Sequence, residues 1–147
     1  MNKILQPPAK LTLTPFVLLP IAAACTSFPA PEFKRTRAGI NSEPLTIEEL
    51  RGKVVLVDFW IYSCVDCIRT FPYLREWNVK YADDRLVIIS VHIPEFEFEQ
   101  VYSNALKAIQ DNRITWPVAQ DNDFKTWDNY SNRFWPAKYL IYKDGVV

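Results

Sequence analysis

Residues 53–74 read KVVLVDFWIYSCVDCIRTFPYL, and their periodicity decides the fold. Val54 to Trp60 is a near-continuous apolar run, β-branched and aromatic, with the length and composition of a strand buried on both faces. A short polar break follows, holding Cys64 and Cys67 with two residues between them. Ile68, Phe71, Leu74 and Trp77 then recur every three residues, which predicts a helix with one buried face from about Val65 to Tyr81. The cysteines therefore stand where a buried strand feeds a helix. Unpaired backbone N–H groups and the positive end of the helix dipole favour a thiolate there. Cys64 is expected as the exposed nucleophile, and Cys67, one turn further in, as the thiol that resolves it.

Working outward, Arg85 to Val91 reads as a second buried strand, so strand, helix and strand imply a parallel pair with a right-handed crossover. Phe98, Val101, Tyr102, Ala105, Leu106 and Ile109 repeat at helical spacing. Trp116 to Ala119 is expected as a short edge strand, as Pro117 permits. A short helix is expected within Asp121–Tyr130, a final strand over Ala137–Tyr142, and a hairpin turn at Lys143-Asp144-Gly145. Upstream, Thr46 with acids after it predicts a short capped helix before Gly52. The class is α/β.

Three spacings go beyond the cysteine pair. Asp58 lies six residues before Cys64, Pro72 five residues after Cys67, and Trp135-Pro136 opens an apolar run far downstream. With them the chain resembles the thioredoxin superfamily, in particular its extracytoplasmic TlpA-like branch and the thioredoxin-like domain of DipZ proteins. The resemblance covers roughly residues 42–147 and is carried by VDFWIYSCVDCIRTFPYL, VHIPEFEFE and RFWPAKYLI. It implies a thioredoxin-like fold, a central mixed sheet flanked by helices. It implies a thiol–disulfide oxidoreductase that reduces disulfides of extracytoplasmic proteins through Cys64 and Cys67, with no cofactor beyond that redox-active disulfide and no metal. Asp58 would move a proton to and from Cys67, a task that fits the cost of burying a carboxylate. Pro136 would follow a cis bond facing the cysteines, and the Trp135 backbone would receive a substrate peptide as an added strand. The implied partners are disulfide-bearing substrate proteins and a CcdA/DsbD-type membrane electron donor on a separate chain.

The chain departs from the family pattern in three places. Val65-Asp66 lies between the cysteines, and the Asp66 charge beside the helix start makes the pair more reducing. Thr70 stands where several TlpA-like reductases carry an acid, which counts against a specialised cytochrome-maturation role. The family pattern also continues past Val147, so the last strand and C-terminal helix are expected to be missing, with one apolar sheet face uncovered.

Of 147 residues, 49% are hydrophobic, and 17 Lys and Arg balance 17 Asp and Glu. One small domain with a scattered, neutral charge distribution follows, and nothing points to nucleic acid. Residues 1–10 carry Lys3 and Lys10 and no acid, and Leu11 to Ala24 is almost wholly apolar, ending Ala22-Ala23-Ala24 before Cys25. This describes a bacterial export signal over residues 1–24. Its end resembles a lipoprotein signal, which implies lipid attachment at Cys25 and an outer-face or periplasmic, membrane-anchored protein. Simple secretion and an uncleaved anchor are the alternative readings. Residues 25–41 read as a tether, and 42–147 as the domain.

Other uses of the pair are weaker. A structural zinc site wants four ligands, haem attachment wants a histidine where Ile68 stands, and a peroxiredoxin wants a threonine where Ile61 stands. Two rivals stay open: a non-catalytic peptide-binding module with the cysteines permanently bridged, and a copper-handling protein using both thiols. His92 is expected in a loop, Glu95 is a candidate second acid, and Trp60 and Trp135 are expected as core or site walls.

Overall fold

A computed structural model of the chain describes residues 27–33 and 39–147. The expected export signal and Cys25 lie outside the described residues. Five strands form one mixed sheet in the order β1-β4-β3-β2-β5: β1 Gly39–Ile40, β2 Val54–Trp60, β3 Leu86–His92, β4 Val118–Gln120 and β5 Ala137–Ile141. β2 pairs parallel with β3, and β3 with β4. β5 runs antiparallel beside β2, and β1 antiparallel beside β4. Among the described residues three α-helices connect the strands, α1 Val65–Lys80, α2 Tyr102–Asp111 and α3 Lys125–Asn129. This is the expected mixed α/β sheet.

Alternation along the central strands sorts side chains onto two cores. Leu56 and Trp60 of β2 and Ile88 of β3 pack with Cys67, Phe71 and Leu74 of α1 and Ile109 of α2. Val55, Val57 and Phe59 of β2, with Ile89 and Val91 of β3, face the opposite side beneath Tyr130, Ala137 and Ile141. The same pleat sends Asp58 to the α1 side.

Four expectations change in detail. Residues 47–52 form successive turns rather than a helix, with Leu50 N–H donating to Ile47 O and Arg51 N–H to Glu48 O. Thr46 and Glu49 do cap each other's backbone as expected, but Gly52 at φ +83° takes the chain out of helical geometry after one turn. The helix expected from Phe98 begins only at Tyr102. Glu97–Glu99 forms a separate 3-10 turn, because the Glu99 carboxylate accepts the Glu95 and Phe96 N–H groups. The strand after Trp116 is not an edge, since Gly39 and Ile40 cover it. Finally, part of the expected tether is docked: Ala30 N–H donates to Gly145 O and Val147 N–H to Phe28 O. Glu32 there accepts the Ile47 and Glu48 N–H groups.

No helix among the described residues is long and apolar enough to cross a membrane. An apolar groove of about 540 Å³ opens between α1 and the β5 side of the sheet, lined by Val54, Leu56, Trp77, Tyr81, Leu86 and Leu140.

Candidate active site

The cysteines occupy the junction that the periodicity marks. Ile61–Cys64 closes as a turn, with Cys64 N–H donating to Ile61 O at 3.2 Å. Cys64 is the N-cap of α1, half-buried, and its Sγ accepts the Cys67 N–H at 3.2 Å. A backbone donor is thus aimed at the Cys64 sulfur, where it would stabilise negative charge. Cys67 is fully buried, and both thiols are free. Burial pushes the Cys67 thiol far up, and the neighbouring Cys64 and Asp58 charges add to it. The pair is therefore asymmetric: one accessible sulfur, and one that stays protonated until a base takes its proton. Pro72 lies within α1 and cannot donate to the Ile68 carbonyl one turn before it.

Asp58 is wholly buried, and desolvation raises its pKa against the opposing effect of Lys138. Lys138 Nζ lies 2.7 Å from Asp58 Oδ1 with 26% of its side chain exposed. Ser90 Oγ donates to Asp58 Oδ2 at 3.0 Å and accepts the Trp116 indole N–H at 2.8 Å. Lys138 also donates to Thr70 Oγ1 at 3.2 Å, and Thr70 donates to the Cys67 carbonyl at 2.8 Å. A continuous polar chain thus links the buried acid to the helix turn that carries Cys67. Sheet register builds it: Ser90 pairs with Asp58 from β3, and Lys138 from β5.

The remaining candidates separate. The Trp135–Pro136 bond is cis, and Trp135 packs on Trp127 with ring centroids 4.6 Å apart. Trp60 is core, and its ring meets Phe71 edge-on. His92 is not in a loop: it is the last residue of β3, fully buried, between Trp60 and Tyr62. Burial pushes it down to about 4 despite the nearby Glu99 carboxylate. Glu95 is exposed, and the buried acid of that segment is Glu99. No group of three or more His, Cys, Asp or Glu side chains among the described residues converges in a way that could hold a metal ion. Sequence reading passed over Lys138 and Ser90. Each is one polar position in an apolar strand, and only pairing shows that both meet Asp58.

The chain thus carries a half-buried N-cap cysteine, a fully buried cysteine one turn further in, a buried acid on β2 and a cis-proline immediately before β5. The family pattern described as AhpC/TSA family matches residues 27–147. The chain belongs to that family, within the thioredoxin superfamily. Among similar proteins, DipZ of Mycobacterium tuberculosis is 45% identical over 121 residues, covering 80% of this chain but 17% of DipZ. The thiol-disulfide oxidoreductase YkuV of Bacillus subtilis is 33% identical over 120 residues, covering 81% of this chain and 80% of YkuV. The solution structure of a thioredoxin-like protein in its oxidised form is similar with a TM-score of 0.72 at 33% identity, covering 80% of this chain and 78% of that one. Membership thus extends over the whole described sheet, while the chain spans about a sixth of the DipZ proteins it matches.

Proposed function

We propose that this chain is a thiol–disulfide oxidoreductase that reduces disulfides of extracytoplasmic proteins. One observation carries the reading: a half-exposed N-cap sulfur receives the Cys67 N–H above a second thiol buried beside an acid. The Cys64 thiolate attacks one sulfur of a substrate disulfide, forms a mixed disulfide and expels the other substrate sulfur as a thiolate, which takes up a proton. Cys67 gives its proton to Asp58, attacks Cys64 Sγ and releases the second substrate thiol. The substrate gains two electrons, and the protein is left with a Cys64–Cys67 disulfide. The Trp135 backbone, beside cis Pro136, holds the substrate strand. An external dithiol must restore the pair, and a CcdA/DsbD-type membrane protein fits that need. Lipid attachment at Cys25 would keep the domain at that membrane.

The test is a redox titration of the pair in graded thiol buffers. A midpoint at or below about −270 mV, the thioredoxin value, is expected of a reductase. A midpoint near about −120 mV would reverse the direction of electron flow. Cys64→Ser is expected to abolish turnover, and Cys67→Ser to accumulate the mixed disulfide, seen as a mass increase that dithiothreitol removes.

A further inference from the structure

An aromatic ladder, half-buried at Tyr62 and exposed at Phe96 and Phe98, runs from the cysteine turn onto the segment after β3. Tyr62 lies inside the Ile61–Cys64 turn, two residues before the nucleophile. Its ring lies 6.2 Å from that of Phe98, and its hydroxyl donates to the Phe98 carbonyl. Phe98 stacks on Phe96 at 5.6 Å with the rings 5° from parallel. Phe96 is 50% exposed and Phe98 53% exposed. Two adjacent phenylalanines left half in water forfeit hydrophobic stabilisation that burial would supply.

The presentation is held in place rather than incidental. Glu99 turns inward, fully buried, and its Oε2 accepts the N–H groups of Glu95 and Phe96, both at 2.9 Å. Asn104 donates to the Phe98 carbonyl. The Tyr62 ring stacks on buried His92 at 5.4 Å. A buried carboxylate and a buried ring thus fix the two ends of the ladder, while Glu95 and Glu97 place exposed carboxylates on the same turn.

Resting on the oxidoreductase reading above, we propose that Phe96, Phe98 and Tyr62 form a docking surface for the substrate polypeptide. The occupant is an extended segment with a large apolar residue near the attacked cysteine, in a basic sequence context. Continuity with the Cys64 turn argues for substrate rather than an unrelated partner. The acids at Glu95 and Glu97 select basic over acidic neighbours by charge complementarity.

The experiment compares the wild type with a Phe96→Ser, Phe98→Ser double variant, each reduced beforehand, on three probes. These are a disulfide-linked peptide with Phe and Lys beside the cysteine, one with Ser and Asp there, and the small disulfide 5,5′-dithiobis(2-nitrobenzoate). The wild type is expected to prefer the Phe/Lys peptide by about tenfold in kcat/KM, mostly through KM. The double variant should lose that preference while its rate with the small disulfide stays within about twofold of wild type. Equal peptide preference in the two proteins, or none in the wild type, overturns the docking surface and leaves the oxidoreductase reading standing. Failure of the wild type on all three probes overturns both.

Discussion

At the residue scale the site is a contest over Asp58. Burial favours its neutral form, and Lys138 and Ser90 favour the carboxylate; burial wins, so the folded pKa lies above the ordinary 3.8. The folded state then holds the proton more tightly than the unfolded chain. Stability is lost as pH rises from 3.8 through the folded value, and the penalty is complete above it. Asp58→Asn removes that penalty and is expected to be the more stable protein at pH 8. Its advantage should vanish as pH falls toward 3.8. Chemical unfolding of both proteins across that range checks this, and a less stable Asp58→Asn at pH 8 refutes it. His92 acts in the opposite sense, because a histidine held at about 4 costs stability as pH falls below 6.5. That contribution is common to both proteins and cancels in the difference.

At the scale of elements, polar side chains decide where short segments begin and end. α3 has five residues and starts from Phe124 at φ 58°, which offers little intrinsic helix stability. Asp121 holds it: Oδ1 accepts the Lys125 N–H, and Oδ2 accepts those of Thr126 and Trp127. Asp121→Ala strands three donors at a nearly buried site and is expected to cost about 1–3 kcal/mol. Denaturant titration measures that cost, and Asp121→Asn should recover part of it. A loss below a few tenths of a kcal/mol would mean that packing of Trp127 and Tyr130 alone secures the helix. Glu99 acts in the same way on the Glu97–Glu99 turn, replacing the single longer helix that the apolar spacing suggests.

At the scale of the whole molecule the two sheet faces are unequal. The α3 side is closed by Phe59, Trp127, Tyr130 and Tyr139, whose rings meet edge-on. On the α1 side an apolar groove of about 540 Å³ stays open beside Val54, Leu56, Leu86 and Leu140, and Leu140 at its rim is 44% exposed. Open apolar grooves bind apolar dyes and promote association. Leu140→Gln is expected to lower the fluorescence of a bound naphthalene-sulfonate dye while changing unfolding free energy by less than about 0.5 kcal/mol. Unchanged dye fluorescence would place the binding elsewhere on the surface.

The residues show how far sequence alone reaches. Val54–Trp60 and Ile68–Trp77 declare a strand and a helix through local periodicity, so the cysteine junction, the parallel crossover and the α/β class are legible before any contact is known. Cys64, Cys67, Asp58 and Pro136 are legible because their spacings along the chain are short or repeat a family pattern. Lys138, Ser90 and Glu99 are not. Lys138 is 80 residues from Asp58, and a strand reading AKYLI says only that alternate residues face opposite ways. Which of them meets a buried carboxylate depends on register, which is set by the packing of both cores at once. Local propensity and side-chain pattern thus determined the central strand, the helix after it and the cysteine junction between them, and the tertiary structure alone decided which charges surround the acid, because burial and pairing exist only between strands already assembled.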